Sequence, residues 1–565
     1  TGKFGGVLAL AGDDHGAKSS TVAAQTDFAF IAVSMPVLAP ATVQDYVDYG
    51  LLGFALSRFS GLWVAIKAVT DTVETAGIVD VSLNRLKIVE PDHVPMPEGG
   101  LNLRWPEEAF AKLEERLARF KVPAALAWAR ANRLDRNVYG VPDGEPALLG
   151  IVSCGKAWLD VMQALSDLGI DDRVARSIGL RVYKVAMPWP LEPIGIRAFS
   201  SACQEVLVIE EKRSLIEAQI RDILYAASVR PVITGKRDAA GAPLLPEWGE
   251  LSPSACAKAI VLRLTAWSAS GSPADSLLGA TLQRCHERLA LIAEKERTEV
   301  ARSAPVERIP YFCSGCPHNS STRVPEGSRA IAGIGCSYMA MWMDRGTATF
   351  THMGGEGATW VGQAPLTATN NVFQNIGDGT YFHSGSLAIR FAIATKTRIT
   401  YKILFNDAVA MTGGQEHDGQ LTPAAIVNQM RAEGVQKIVV ATDEPEKYPA
   451  GYFAPDVAVH HRSMLDEVQR ELRDFPGVSV LVYDQTCAAE KRRRRKRDTA
   501  APMLRKVFIN EHVCENCGDC TVASNCVSVQ PIESAFGRKR TINQSSCNGD
   551  QSCVEGFCPS FVTVK

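Results

Sequence analysis

Cysteines are concentrated near the C-terminal end of the chain, at spacings that suit metal binding. Seven of the fifteen cysteines lie between Cys514 and Cys558, in a C-x2-C-x2-C run and in a second group that ends in Cys-Pro. Runs of this kind hold iron–sulfur clusters in small electron-transfer domains. A C-x2-C pair also suits zinc, but two groups with a terminal Cys558-Pro559 favour iron–sulfur. The tail therefore predicts exchange of single electrons, in a reducing compartment where thiols stay free.

The number of tail cysteines leaves one cluster position without a thiol. In a two-cluster domain, the first three cysteines of one group share a cluster with the last cysteine of the other. Regular spacing would put the missing thiol at position 550, where the chain has Asp550. Asp550 either ligates iron, or replaces a ligand and leaves a [3Fe–4S] cluster, or is a turn residue after Asn548-Gly549. We name the first tail set (Cys514, Cys517, Cys520, Cys558) and the second tail set (Cys526, Cys547, Cys553 with Asp550).

A Gly-Asp-Gly turn in the middle of the chain has the pattern of a magnesium site. Gly377-Asp378-Gly379 follows an apolar stretch, and a later strand-like run ends at Asn406-Asp407-Ala408. Mg²⁺ prefers hard oxygen ligands, and neighbouring parallel strands bring their carboxyl ends to one crevice. The arrangement resembles the thiamine diphosphate-binding motif. This resemblance implies Mg²⁺ ligation by Asp378, the Asn406 side-chain oxygen and the Ala408 carbonyl, while Gly377 and Gly379 let the backbone approach the diphosphate.

Two further segments hold candidate site residues. Gly354-Gly355-Glu356-Gly357 precedes a helix-like stretch, so Gly355 and Glu356 are candidate contacts of a diphosphate at a helix N-terminus. A plain turn explains the same pattern equally well. His318, which follows Cys316-Pro317, either faces a substrate or only packs.

The elements that must position these residues have α/β texture. Short apolar runs alternate with amphipathic stretches, as in Leu148–Ser153 followed by Ala157–Leu168. A chain of 565 residues is long enough for several domains. The net charge of -2 gives no overall attraction to nucleic acid or membranes, and no uninterrupted apolar run predicts a membrane span.

Taken together, the motifs resemble 2-oxoacid:ferredoxin oxidoreductases, and in particular the bacterial indolepyruvate ferredoxin oxidoreductase family in its long fused form. In that comparison the chain is similar to the central part of the fused protein. The resemblance is carried by these segments: Gly12-Asp13-Asp14-His15 through Ser19-Ser20-Thr21, Cys313-x2-Cys316-Pro317-His318, Gly377-Asp378-Gly379, Asn406-Asp407-Ala408 through Thr412-Gly413-Gly414-Gln415, Asp484-Gln485-Thr486-Cys487 through the basic run, and Cys547–Val564.

The resemblance implies several doubly wound, thiamine-diphosphate-type (transketolase-like) α/β domains and a small C-terminal ferredoxin-like iron–sulfur domain. It also implies an activating Glu upstream of Thr1 and a gamma-type domain in the same longer chain or in a partner. With the Pro-rich breaks and the basic run, it predicts these segments: 1–90 pyrimidine-binding-type domain, 91–146 linker or insertion, 147–230 transketolase C-terminal-like domain, 231–305 helical connection, 306–490 thiamine diphosphate and Mg²⁺ domain, 491–505 basic linker, and 506–565 ferredoxin-like domain.

The resemblance further implies a reaction and its cofactors. A [4Fe–4S] cluster near the thiazolium would be held by a proximal set (Cys313, Cys316, Cys336, Cys487). With the two tail clusters, this makes three clusters beside thiamine diphosphate and Mg²⁺. The expected reaction is oxidative decarboxylation of an aryl-2-oxoacid, with coenzyme A taking the acyl group and ferredoxin taking the electrons. A cytoplasmic homo-oligomer is expected.

Two other functions remain open at this point. A non-oxidative thiamine-dependent 2-oxoacid decarboxylase with vestigial clusters is disfavoured by the complete first tail set. A subunit that only relays electrons is disfavoured by the Asp378 and Asn406 pair. The basic run Lys491–Arg497 is either a solvated linker or a docking segment for an acidic partner, and no aromatic residues interleave it as single-stranded nucleic acid would require.

Overall fold

The structure, a computed structural model, describes residues 1–2, 4–18, 20, 22–82, 84–268, 275–302, 309–497 and 505–564. The chain divides into two units, Thr1–Ala304 and Pro305–Lys565. Each unit contains parallel sheets with helices packed against them, so the α/β class expected from the sequence is confirmed. Among the described helices, none combines the length and the apolar character that a membrane span needs.

A small parallel sheet opens the first unit. Its elements are β1 (Leu8–Asp13), α1 (Asp27–Ala32), β2 (Val37–Leu38), α2 (Val43–Ser60), β3 (Val64–Val69) and α3 (Thr70–Val73). The strand order is β1-β3-β2, with parallel pairs throughout. A capping box begins α2, because the Thr42 side chain accepts from the Asp45 amide while the Asp45 carboxylate accepts from the Thr42 amide.

A larger sheet follows in the same unit. Its elements are α4 (Ala111–Arg116), α5 (Val122–Ala131), β4 (Arg136–Gly140), β5 (Ala147–Cys154), α6 (Gly155–Leu168), α7 (Asp172–Ser177), β6 (Leu180–Val185), α8 (Pro193–Ser201), β7 (Cys203–Ile209), α9 (Ile216–Leu224), β8 (Val232–Thr234), α10 (Pro253–Ser268) and α11 (Asp275–Arg302). The order is β4-β6-β5-β7-β8, parallel apart from β4. Leu149 and Ile151 pack with α6 and α10, whereas Val152 and Cys154 pack with α8 and α9. Helices on both faces explain why β5 is apolar almost throughout.

Two segments that were predicted as connections contribute to these cores. The segment 91–146 contains β4 and also α5, whose Trp128 is buried with residues of α2. The segment 231–305 contains β8, α10 and α11, and it places Cys256 and Cys285 in the core beside β5. The larger sheet and its helices therefore take in more of the chain than the predicted span 147–230.

The second unit is built on a parallel sheet. Its elements are α12 (His318–Ser321), β9 (Ala330–Ala332), β10 (Thr347–Phe350), α13 (Ala358–Gln363), β11 (Phe373–Gly377), α14 (Asp378–Thr380), α15 (Ser386–Ala394), β12 (Ile399–Phe405), α16 (Pro423–Glu433), β13 (Lys437–Thr442), β14 (Ala458–His461), α17 (Leu465–Asp474), β15 (Val478–Asp484) and α18 (Ala488–Lys496). The strand order is β10-β9-β11-β12-β15-β13-β14. Ile376 and Ile403 pack with α15 and α16, and Leu404 and Leu481 pack with α17. This sheet is therefore also covered on both faces.

The C-terminal tail is small and rich in cysteine. Its elements are β16 (Lys506–Ile509), α19 (Asp519–Ser524), β17 (Val529–Ser534), β18 (Gly537–Ile542) and β19 (Phe561–Val564). Two antiparallel pairs, β16 with β19 and β17 with β18, enclose a core that includes Cys526. A core of this size favours stabilisation by metal clusters.

The basic run lies in a helix over the part that the structure describes. Its residues through Lys496 belong to α18, although 491–505 was predicted as a linker. Residues 498–504 lie outside the described residues.

Candidate active site and cysteine sets

The Gly-Asp-Gly turn lies where the sequence places it, at the carboxyl end of β11. In the register of the two parallel strands, Gly377 pairs with Leu404 of β12. Asp378 and Asn406 therefore follow adjacent strands at one edge of the sheet. Both are buried, with 2% and 6% of their surface exposed.

The Asp378 carboxylate joins the two strand ends through backbone donors. Oδ1 accepts from the Gly379 amide at 2.9 Å, and Oδ2 accepts from the amides of Asn406 (2.8 Å) and Asp407 (2.9 Å). Asp407 takes a positive φ of 61°, an uncommon conformation for a residue other than glycine. The carboxylate is thus held rigidly at the crevice.

The Asn406 side chain supplies a second oxygen at the same place. Its Oδ1 is buried and has no hydrogen-bond partner in the described protein. An unpaired buried acceptor is costly, so an absent cationic or donor group at this position is the physical explanation for it. Ala408, two residues on, is also buried. The oxygen donors of Asp378 and Asn406 fit the preference of Mg²⁺.

Two histidines lie near Asp378. His417 Nε2 is 3.7 Å from Asp378 Oδ2, and the neighbouring Asp378 carboxylate raises the pKa of His417. His417 was not among the site residues predicted from the sequence, and its only signal there is its place shortly after Thr412-Gly413-Gly414-Gln415. His318 is buried, and burial lowers its pKa to about 4, so it is neutral at physiological pH. His318 Nδ1 is 3.2 Å from Ser321 Oγ.

The second glycine-rich segment, Gly354-Gly355-Glu356-Gly357, directs an acidic side chain into the protein interior. Glu356 is fully buried, and its Oε2 accepts from the Gly354 amide at 2.7 Å while Oε1 has no partner in the described residues. Burial raises the pKa of Glu356. Gly357 has a φ of +89°, and a Cβ there would collide with the Tyr401 hydroxyl. Gly357 is therefore required by the local packing.

An open crevice lies beside this edge of the sheet. Its volume is ≈ 990 Å³, and its lining includes Asp407, His417 and Arg494. Arg494 Nη1 donates to Asp407 Oδ2 at 2.7 Å. The crevice thus combines a carboxylate-rich edge with a cation from α18.

The four cysteines of the proximal set are brought together by the fold. Burial raises the pKa of Cys316 well above its usual value, and nearby Cys336, Cys313 and Cys487 raise it further. Burial raises the pKa of Cys336 to about 12, and the nearby Cys487 and Cys313 add to this rise. The Cys487 amide donates to the Asn406 carbonyl at 3.0 Å, which ties this set to the Asp378 crevice. In the described parts of the chain, no trio of His, Cys, Asp or Glu is arranged to hold a single metal ion.

The second tail set also converges. Burial raises the pKa of Cys553 to about 12, with further contributions from Asp550, Cys526 and Cys547. Asp550 Oδ2 accepts from Ser552 Oγ at 2.6 Å and lies 3.5 Å from Arg462 Nη1. Asp550 is therefore among these thiols while it also contacts a cation of the sheet domain.

The basic helix α18 connects the crevice with the tail. Arg492 donates to the Ser545 carbonyl at 2.6 Å, and Arg495 donates to the Asn548 carbonyl at 3.3 Å. Arg493 and Arg494 reach the loop after β12, through Gly413 and Asp407. The run therefore makes specific backbone contacts in place of a solvated linker.

The first unit has its own polar cluster at the end of β1. Asp13 accepts from the Thr26 amide at 3.1 Å, and Asp14 accepts from the amides of Lys18 and Ser20. Lys67 forms a buried ion pair with Asp27 at 3.0 Å. Ser19 and Thr21, named in the resemblance, lie outside the described residues.

Comparisons with known proteins agree with the motifs. Residues 140–286 match the indolepyruvate oxidoreductase domain. Indolepyruvate oxidoreductase subunit IorA of Methanothermobacter thermautotrophicus is 24% identical over 572 residues, covering 99% of this chain and 82% of the relative. The subunit of the same name from Archaeoglobus fulgidus is 25% identical over 575 residues, covering 99% and 81%.

Two solved structures are also similar. A 2-oxoglutarate:ferredoxin oxidoreductase from Magnetococcus marinus has 19% identity and a TM-score of 0.26, covering 32% of this chain and 66% of that chain. A split gene transketolase has 18% identity and a TM-score of 0.26, covering 46% and 66%. Similarity at this level does not define the fold, which follows from the sheets themselves.

The relatives that match nearly the whole chain are named as subunits of indolepyruvate oxidoreductase, which supports an enzyme of the 2-oxoacid oxidoreductase type. Together with the matching domain, these relatives support the resemblance to the indolepyruvate ferredoxin oxidoreductase family that the motifs predicted. The relatives named here are archaeal subunits, whereas the motifs resembled the long fused bacterial form.

Proposed function

We propose that this enzyme oxidatively decarboxylates an aryl-2-oxoacid of the indolepyruvate or phenylpyruvate type to an acyl-CoA and CO2, and passes the electrons to ferredoxin. One observation carries the proposal. Asn406 has a buried, unpartnered side-chain oxygen beside Asp378, and its carbonyl accepts from the Cys487 amide. A site for a metal-bound cofactor and a thiol set therefore share one residue.

Asp378, Asn406 and the Ala408 carbonyl would hold Mg²⁺ with the diphosphate of thiamine diphosphate. When bound, this cofactor supplies the electron sink for decarboxylation. Gly377 and Gly379 leave the backbone accessible to the diphosphate, and Gly355 and Glu356 lie on a second candidate segment for it. Burial raises the pKa of the Glu356 carboxyl, which favours its neutral form. Neutral His318 offers a donor or an acceptor without adding charge.

Electron transfer would use three clusters. The proximal set would hold a [4Fe–4S] cluster next to the Asp378 crevice, and the first tail set a second one. The second tail set would hold either a [4Fe–4S] cluster with Asp550 as its fourth ligand or a [3Fe–4S] cluster. Hydrogen bonds from the protein to the sulfurs would tune each potential.

The remaining partners follow from the family. The relatives are named as subunits, which supports a gamma-type domain in a partner or elsewhere in a longer chain. Homo-oligomerisation and a cytoplasmic location belong to the same proposal, with no role for nucleic acid or a membrane. The near-neutral net charge of -2 is consistent with these expectations.

Anaerobic turnover tests this function. The purified enzyme is supplied with indolepyruvate, phenylpyruvate or pyruvate, with and without coenzyme A, and reduction of ferredoxin is followed by absorbance. We expect acceptor reduction that requires coenzyme A and that is faster with an arylpyruvate than with pyruvate. Release of CO2 and an aldehyde without acceptor reduction would support the non-oxidative decarboxylase instead.

A further inference from the structure

A serine in the proximal loop contacts a cysteine of the tail. Ser314 lies between Cys313 and Cys316, and its Oγ is 3.3 Å from the Sγ of Cys526. The two residues are 212 positions apart in sequence. Both are buried, with 7% and 8% of their surface exposed. The ligand loop of one proposed cluster therefore touches a proposed ligand of another.

The direction of this hydrogen bond follows from the chemistry of an iron-bound thiolate. A thiolate carries no proton, so Cys526 would only accept and Ser314 Oγ would donate to it. Ser314 Oγ also contacts Ser528 Oγ, which lies 2.8 Å from Ser546 Oγ. A chain of hydroxyls, each donating to the next, would then end at the Cys526 sulfur and polarise the last bond.

The backbone of the loop is held against the tail as well. Asn548, next to Cys547, donates from Nδ2 to the Ser314 carbonyl at 2.8 Å. Gly315 has a φ of +64°, and a Cβ at that position would lie 3.3 Å from Asp550 Oδ1. The contact between Ser314 and Cys526 is thus flanked by Asn548 and by Asp550 of the second tail set.

We propose that Ser314 is a positioning residue that raises the reduction potential of the second tail cluster and makes that cluster the first acceptor after the proximal one. This inference rests on the proposed function, because it needs both clusters. In the step, the proximal cluster loses one electron, the second tail cluster gains it, and no proton or bond changes place. An O–H···S bond in a buried site stabilises the extra negative charge of the reduced cluster.

The test compares Ser314→Ala with wild type by redox titration monitored by electron paramagnetic resonance. The signal lost or altered in Cys526→Ser identifies the second tail cluster. We expect Ser314→Ala to keep the wild-type iron content and to lower the midpoint of that cluster alone. The expected size is roughly a tenfold drop in its reduction equilibrium constant, or about 59 mV for one electron.

Ser524→Ala is the matched control. Ser524 is equally buried in the tail, but its Oγ donates to the Cys520 carbonyl at 2.7 Å and accepts from the Cys526 amide at 3.3 Å, so it bonds to main chain and not to sulfur. The midpoint potentials of the clusters in Ser524→Ala should match those of the wild type. Ser314→Thr, which keeps a hydroxyl, should restore the wild-type potential.

Several outcomes would overturn the inference. Unchanged midpoints in Ser314→Ala would reduce Ser314 to a packing contact, and so would equal shifts in Ser314→Ala and Ser524→Ala. If Ser314→Ala fails to retain iron, Ser528→Ala is the second variant, because it removes only the hydroxyl that donates to Ser314. It should lower the midpoint potential of the second tail cluster by a smaller amount, and an unchanged midpoint in that variant rejects the proposal. A wild-type enzyme without cluster signals would instead reject the proposed function itself.

Discussion

Replacing Asn406 by Ala should separate cofactor binding from folding. The structural hydrogen bonds of this residue come from its backbone, whose amide donates to Asp378 at 2.8 Å and whose carbonyl accepts from Cys487 at 3.0 Å. Both remain in Asn406→Ala, whereas Asp378→Ala would leave three backbone amides without their acceptor. Since an unpaired buried oxygen costs ~1–3 kcal/mol, the free energy of unfolding of the cofactor-free variant should be unchanged or higher.

Asn406→Ala should have the opposite effect on the cofactor-bound enzyme, whose free energy of unfolding it should lower. Loss of an oxygen ligand to a cation is comparable with loss of a hydrogen bond to a charged group, ~1.5–3 kcal/mol. At about 1.4 kcal/mol per tenfold, affinity for the Mg²⁺–thiamine diphosphate complex should fall roughly 10- to 100-fold. A ligand at 100 times its Kd stabilises the folded enzyme by about 2.7 kcal/mol, but after a 100-fold loss of affinity only about 0.4 kcal/mol remains.

Urea unfolding with and without Mg²⁺ and thiamine diphosphate measures both quantities, and calorimetric titration gives the affinity. Asn371→Ala is the control, because Asn371 is also buried with an unpartnered Oδ1 but precedes β11, at the opposite end of the strand from Gly377. It should bind the cofactor like wild type, at some cost in stability through its lost bond to Thr400. Wild-type cofactor affinity in Asn406→Ala would refute the site, as would a loss of cofactor-free stability as large as that of Asn371→Ala.

Three further predictions follow from other parts of the chain. Cys487→Ser should lower the iron content by one cluster and block ferredoxin reduction, because these clusters are held by four protein ligands; unchanged iron and electron transfer would make Cys487 structural. Asp550→Cys should convert the second tail cluster to an ordinary four-thiolate centre, and electron paramagnetic resonance spectra identical to wild type would leave Asp550 as a turn residue. Burial raises the pKa of Asp135 to about 7, so its folded form binds a proton more tightly than the unfolded chain and stability should fall as pH rises from about 4 to about 7. Asp135→Asn keeps an oxygen that accepts from the Ala186 and Met187 amides. It should raise the free energy of unfolding at pH 8 by at most about 4 kcal/mol, with little change at pH 4. A pH profile of urea unfolding that matches the wild type would contradict this prediction.

The placement of Asp378 and Asn406 was predictable because it depends on local patterns. A strand, a turn and a second strand of the same direction bring the two residues to one edge whatever the rest of the fold does. The register of Gly377 with Leu404 fulfils this expectation. The inward-facing Glu356 was less predictable, since the glycines around it are equally typical of an exposed turn.

The segments predicted as connections show where local patterns fail. α5 and α10 carry alanine-rich apolar positions that bury against distant elements, and only tertiary packing decides that they are core. α18 is similar, because a run of like charges is typical of solvated chain. Its arginines instead find carbonyl acceptors at Ser545 and Asn548, more than fifty residues away.

For the cysteine sets, some features follow from local sequence patterns and others from tertiary packing. Spacing within a set is local, so C-x2-C patterns predict which thiols are close, whereas the order of the clusters depends on contacts between segments far apart in sequence. The bond from Ser314 to Cys526 supplies such a contact, and Asn406 supplies another by joining Asp378 to Cys487. These two links lie on either side of the proximal set. Because each is made by a short side chain or by the backbone itself, little movement is possible at either one, and the two links would hold the proposed clusters in the fixed arrangement that electron transfer from the crevice to the second tail set requires.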